Sequence, residues 1–212
     1  MLRIGLTGGT ACGKSTVLAM FRRKPEIRVI DADTIVHELY QRGNAVHRLV
    51  AERYGNEVLD GDGDIDRVKL GEIVFSNPSE LRSLEEIVHP AVEESQMRQM
   101  DALENMQPDC IALVEATKML EAGTYKKYDH VVLVVCSPEQ QLKRYQSRNP
   151  KLSPAEAKQD LERRSRMQFS DVKRRSLVPT EWVIDNSNTR VETEEQVEFI
   201  YQRLRRELAK QP

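Results

Sequence analysis

Nowhere in this 212-residue chain does an apolar run approach the ~20 residues needed to cross a bilayer, so no transmembrane helix is expected. Cysteine is scarce. Cys12, Cys110 and Cys136 are widely spaced, odd in number and in no metal-ligand pattern, which argues against a disulfide framework and suits free thiols in a reducing cytosol. An excess of one charge is missing as well. The 32 Lys and Arg residues face 34 Asp and Glu, a formal net charge of −2, so no global field draws the chain to nucleic acid or an acidic membrane. Any anion site must be built locally. Nothing at the start reads as a signal peptide, because Met1 leads directly into a short strand and a glycine-rich turn. Internal repeats and low-complexity linkers are absent too. What remains, 39% hydrophobic and 31% charged, fits one well-packed globular core with room for a small appended region.

Five short apolar stretches punctuate the chain: Leu2 to Leu6, Ile27 to Ile30, Ile111 to Val114, Val131 to Val135 and Trp182 to Ile184. Helical patterns separate them. After the first, Val17, Met20 and Phe21 recur at the spacing of one helical face; at the end, Val197, Ile200, Tyr201, Leu204 and Leu208 do the same, with Thr193 as the expected cap. From Ile35 to about Met106 the pattern is mostly helical and charged, interrupted by the turn at Asp60-Gly61-Asp62-Gly63-Asp64. A calcium loop starting at Asp60 would need Glu at its twelfth place, where Gly71 stands, so a surface turn is the reading. Apolar strands alternating with helices predict an α/β fold whose central parallel sheet of about five strands is covered on both faces.

Gly8-Gly9-Thr10-Ala11-Cys12-Gly13-Lys14-Ser15 matches the phosphate-loop pattern G-x-x-x-x-G-K-[ST] at every fixed position, and it stands between a strand and a helix as that pattern requires. The glycines let the backbone curl until successive N–H groups face one concavity, and the following helix aims its positive end at the same spot. ATP is therefore the expected ligand, held by Ala11, Cys12, Gly13, Lys14, Ser15 and Thr16. Lys14 would reach the β- and γ-phosphates and Ser15 would place its hydroxyl on Mg2+.

The long polar, basic stretch from Pro138 to Pro179 points to a small-molecule kinase, since such enzymes enclose the transferring phosphate with a mobile arginine-bearing lid. Arg144, Arg148, Arg163, Arg164 and Arg166 are the candidates. A nucleic-acid patch is disfavoured, because Asp160, Glu162 and Asp171 interrupt the basic field and few aromatics are present for stacking. Asp33, at the end of the second strand, is the expected base or magnesium-holding carboxylate, with Asp31 as its competitor.

Taken together these segments resemble the bacterial dephospho-coenzyme A kinase family over nearly the whole chain. Ile4-Gly5-Leu6-Thr7-Gly8-Gly9, Asp31-Ala32-Asp33, Asp64-Ile65-Asp66-Arg67, Leu84-Glu85, His89-Pro90-Ala91-Val92, Gln141-Leu142-Lys143-Arg144, Arg148, Arg164, Gln168 and Val183-Ile184-Asp185-Asn186 carry the likeness. It implies a P-loop NTPase-type three-layer kinase domain with core 1–34, 107–137 and 180–212, a helical acceptor-binding region at about 35–106 and a lid at about 138–179. It implies transfer from ATP, with Mg2+, to the ribose 3′-hydroxyl of dephospho-coenzyme A, in a cytoplasmic monomer or weak homo-oligomer. Asp33 and Arg148 would act at the transferring phosphate. His89 would sit near the acceptor, with a His-Pro turn leading into a helix as the alternative. Two departures stand out. Thr117-Lys118-Met119 replaces the family's proline and two leucines before Glu121, which suggests that Lys118 meets the acceptor's diphosphate; the stretch from Ser176 to Trp182 is about two residues longer than usual. A kinase for a nucleoside, nucleotide or other small acceptor is the runner-up, and a nucleotide-binding regulator the reading from another class.

Overall fold

The apolar stretches become strands β1 (Leu2–Gly8), β2 (Ile27–Ile30), β3 (Ile111–Glu115), β4 (His130–Val135) and β5 (Val183–Asp185). A computed structural model describes residues 1–211, leaving aside the side chain of Asp33. It joins the strands into one parallel sheet in the order β2-β3-β1-β4-β5. Ile4, Leu6, Leu113, Leu133 and Ile184 are fully buried, the pattern of a parallel sheet covered on both faces. The chain leaves β1 toward one edge of this order and leaves β3 toward the other. The carboxyl ends of β1 and β3 therefore flank the switch point, where an open α/β sheet offers its crevice. Gly8 closes β1 there and Glu115 closes β3.

In chain order the helices are α1 Lys14–Phe21, α2 Ala32–Leu39, α3 Ala45–Tyr54, α4 Arg67–Ser76, α5 Pro78–Met106, α6 Pro138–Arg148, α7 Pro154–Arg166, α8 Asp171–Leu177 and α9 Arg190–Leu208. Two compact units result, one made of Met1–Ile30 with Leu103–Pro212, the other of Asp31–Ala102.

In the first unit, Val17, Met20 and Phe21 of α1 share a core with Val197, Ile200, Tyr201 and Leu204 of α9, the residues expected on each buried face. The expected cap of α9 is corrected. Thr189, not Thr193, caps it by accepting from the Glu192 N–H at 3.2 Å. Thr193 lies one turn inside, fully buried. Trp182 belongs to a 3-10 turn, Thr180–Trp182, rather than to β5, and its ring is buried.

The second unit is helical. Asn44 caps α3 by accepting from Val46, and Asp66 caps α4 by accepting from the Val68 and Lys69 N–H groups. Those backbone hydrogen bonds hold the Asp66 carboxyl below its ordinary pKa. The acidic turn is closed by Asp60, whose Oδ1 accepts from the backbone of Asp62 and Asp64 at 3.0 Å each. No turn leads into a helix at His89-Pro90. Both residues lie inside α5, which continues through the proline although Pro90 has no N–H for the helical ladder.

Candidate active site

The loop after β1 has a backbone that few side chains tolerate. Gly13 sits at φ 92°, and a Cβ there would meet Asn186 Nδ2 at 2.1 Å. A Cβ on Gly8 would meet the Val134 carbonyl oxygen at 2.2 Å. Even Ala11 is left-handed, at φ 58°, a conformation costing an alanine roughly 1 kcal/mol or more. Such strain persists only where neighbours over-determine the backbone. The Ala11 methyl packs with Leu142 and Tyr145 of α6 and with Ala157 and Leu161 of α7.

Polar groups grip the loop from outside. Asn186, just after β5, donates from Nδ2 to the Cys12 carbonyl at 2.9 Å. Arg144 of α6 donates to the same carbonyl at 3.3 Å and to the Asn186 carbonyl at 2.8 Å. The Cys12 carbonyl can only accept, which keeps the amide turned with its nitrogen toward the loop, and the Thr193 hydroxyl lies 3.0 Å from Asn186 Oδ1 on the other side. Gln141 Nε2 donates to the Thr10 carbonyl at 2.7 Å. These bonds restrain the loop backbone through the Thr10 and Cys12 carbonyls, and α1 directly behind adds its positive end.

Lys14 is buried, with Nζ donating to the carbonyls of Gly8 at 3.1 Å and Gly9 at 3.2 Å. Burial lowers its pKa most, and the charges of Arg174 and Arg148 lower it further, while the Glu115 carboxylate opposes them. The cation is thus poorly solvated, with Glu115 as its strongest charged neighbour and Arg174 and Arg148 as weaker opposing ones. Ser15 and Thr16 are exposed in the first turn of α1. The Cys12 side chain is buried in the core beside Cys136. A hydrogen bond from Cys136 pulls the Cys12 thiol down and pushes Cys136 well up.

The arginines of the basic stretch divide by partner. Arg163 and Arg164 both bind Asp160, which also accepts from the Tyr145 phenol; that hydrogen bond above all holds the Asp160 carboxyl at about 2. These groups join α7 to α6. Arg144 serves the loop backbone. Arg148, the last residue of α6, is exposed, and its charge reaches Lys14. Arg166 is exposed at the end of α7.

The remaining expected residues stand as follows. Lys118 is half-buried in the turn after β3, where its carbonyl accepts from Ala122 at 2.9 Å. His89 is exposed on α5 of the second unit. Asp33 lies in the first turn of α2, and its side chain is outside the described set. The sequence offered Gln141 and Asn186 only as points of likeness, gave Arg144 the part of a lid arginine and gave Thr193 the cap of α9. The structure brings Gln141, Arg144 and Asn186 to the loop, with Thr193 behind Asn186.

The family model for dephospho-CoA kinase matches residues 2–192. A dephospho-CoA kinase of Aquifex aeolicus is 38% identical over 213 residues, covering 98% of this chain and 100% of that protein. Among solved structures, a dephospho-CoA kinase from Campylobacter jejuni superposes with a TM-score of 0.69 at 25% identity, covering 97% of this chain and 98% of the other. TT1252 from Thermus thermophilus gives 0.73 at 26% identity, covering 96% and 97%.

Proposed function

Because the chain belongs to the dephospho-CoA kinase family, we propose how its own residues carry out the family's reaction. That reaction is transfer of the γ-phosphoryl group of ATP to the ribose 3′-hydroxyl of dephospho-CoA, giving CoA and ADP in the last step of coenzyme A synthesis. The observation that carries the assignment of roles is the buried Lys14 ammonium lying across the carbonyls of Gly8 and Gly9 inside an externally clamped loop. Phosphate oxygens are stronger acceptors than those carbonyls, so a nucleotide takes over the ammonium's hydrogen bonds. The N–H groups from Ala11 to Thr16 cradle the phosphates. Lys14 meets charge as it builds on the leaving oxygen, and Arg148 approaches the transferring group from α6. Asp33 receives the proton of the attacking hydroxyl.

Mg2+ fits the donors present. The Ser15 hydroxyl and the Glu115 carboxylate, whose charge is felt at Lys14, are hard oxygen ligands. No three His, Cys, Asp or Glu side chains converge among the described residues, which suits a metal held largely by phosphate oxygens and water. When bound, it neutralises charge on the β- and γ-phosphates.

His89 and Lys118 serve the acceptor, Lys118 by meeting its diphosphate. A coupled assay of ADP formation over an acceptor panel tests the reading. Dephospho-CoA drives turnover, whereas nucleosides and nucleotides do not; turnover with a nucleoside instead would overturn the substrate. In the same assay Lys118→Leu raises the KM for dephospho-CoA roughly ten-fold, the loss of one charge-assisted hydrogen bond, with kcat and ATP affinity nearly unchanged. An unchanged acceptor KM would remove Lys118 from the acceptor site.

A further inference from the structure

We propose that Arg174, acting through Gln168, is a positioning residue that sets the tip of the phosphate loop for ATP. The inference rests on residues 8–16 being the phosphate cradle, and it concerns side chains lying well outside that motif.

Arg174, on α8, is a guanidinium with only 4% of its side chain exposed. Arginine is almost never buried without partners, and this one has three. Its Nη1 donates to Asp171 at 3.2 Å, and its Nη2 reaches Glu121 at 3.3 Å and Gln168 Oε1 at 2.8 Å. Glu121 Oε1 accepts in addition from the Phe169 N–H at 2.8 Å. The turn after β3 and the joint between α7 and α8 are thus tied to one cation.

The far side of Gln168 faces the loop. Its Oε1 accepts from the Thr10 N–H at 3.3 Å, and its Nε2 lies 3.2 Å from Thr10 Oγ1. A glutamine amide can present either end, and the two ends have opposite hydrogen-bonding sense. Arginine offers donors only, so Arg174 compels the oxygen to face it. The same oxygen then receives the Thr10 N–H, and the nitrogen is left for the Thr10 hydroxyl. Without the guanidinium the flipped amide becomes available, and it would set an N–H against the N–H of Thr10. Arg174 also lies against the next residue back: a Cβ on Gly9 would sit 3.0 Å from its Nη1. With Gln141 holding the Thr10 carbonyl, the loop tip is fixed through its N–H, its hydroxyl and its carbonyl.

Stability alone explains this arrangement poorly. Among the described residues, Arg174 Nε and Glu121 Oε2 are buried with no hydrogen-bond partner. A buried ion pair with unsatisfied atoms gains little over apolar side chains of the same volume. Placement of the Gln168 amide gives the pair a use that an apolar replacement could not supply.

Steady-state kinetics tests the proposal. Gln168→Leu should raise the KM for ATP about ten-fold, with kcat and the KM for dephospho-CoA within about two-fold, because the loop tip holds phosphate equally in ground and transition states. Gln168→Glu keeps an oxygen toward both Arg174 and Thr10 and should stay within about three-fold of the parent KM for ATP. Arg174→Met should match Gln168→Leu, and the double variant should be no worse than either, since the two act as one unit. Should Arg174→Met fail to fold, leaving Glu121 buried and unpaired, the two Gln168 variants decide alone. An unchanged KM for ATP in Gln168→Leu, equal losses in Gln168→Leu and Gln168→Glu, or effects that multiply in the double variant would overturn the proposal. Failure of the phosphate-loop reading itself would show separately, as normal turnover in Lys14→Ala.

Discussion

Lys14→Ala should lower kcat by roughly 10²–10³-fold or more while the protein keeps its fold, the loss expected when one preorganised donor to a developing oxyanion is removed. The structure adds a reason to expect no loss of stability. Lys14 is buried, and burial is the largest influence lowering its pKa, so the folded state disfavours the charged form relative to the unfolded chain. At neutral pH, below the lysine's ordinary pKa, that difference opposes folding. Removing the ammonium therefore leaves the melting temperature unchanged or raises it, even though Gly8 and Gly9 lose a donor to their carbonyls. Thermal melts beside steady-state kinetics check both halves. A variant that melts early yet turns over normally would make Lys14 a structural lysine.

Asp33→Asn should cut phosphoryl transfer by roughly 10²–10⁴-fold, the range for a positioned acid or base, while ATP still binds. The substitution keeps the shape of the side chain and removes its basicity. Asp33 follows the carboxyl end of β2 by three residues, in the first turn of α2. Asp31 is the internal control. Its carbonyl accepts from the Ile35 N–H at 3.1 Å where α2 begins, and its side chain is exposed, the position of a residue that starts a helix. Asp31→Asn should therefore leave kcat within a few-fold. Single-turnover rates for the two variants, with ATP binding measured separately, decide between them. If Asp31→Asn carries the loss and Asp33→Asn does not, the base has been misassigned.

The sheet was legible because strands buried on both faces appear as short continuous apolar runs, and each of the five runs became a strand. The phosphate loop was legible because its backbone requires glycine at fixed places and a lysine beside them. Local signals that pointed two ways were read less well. Thr189 and Thr193 both fit the capping-box spacing, with Glu192 and Gln196 three places on, so the local pattern did not separate them. The fully buried hydroxyl of Thr193 serves Asn186 instead. Pro90 invited a helix boundary, yet α5 is 29 residues long and continues through it. Least legible were the groups that grip the loop, because their partners are remote in sequence. Asn186 meets Cys12 across 174 positions and Gln168 meets Thr10 across 158, separations over which no periodicity or spacing rule operates. Arg174 lies within the basic stretch but was not singled out from the sequence. Only the fold shows it buried.

Incubation of the purified chain with ATP, Mg2+ and dephospho-CoA, followed by 31P and 1H NMR of the products, tests the central claim most directly. The account predicts a new phosphomonoester coupled to the ribose 3′ proton, formed together with an equal amount of ADP. ADP released without a phosphorylated acceptor, or a phosphate carried at any other position, would contradict it.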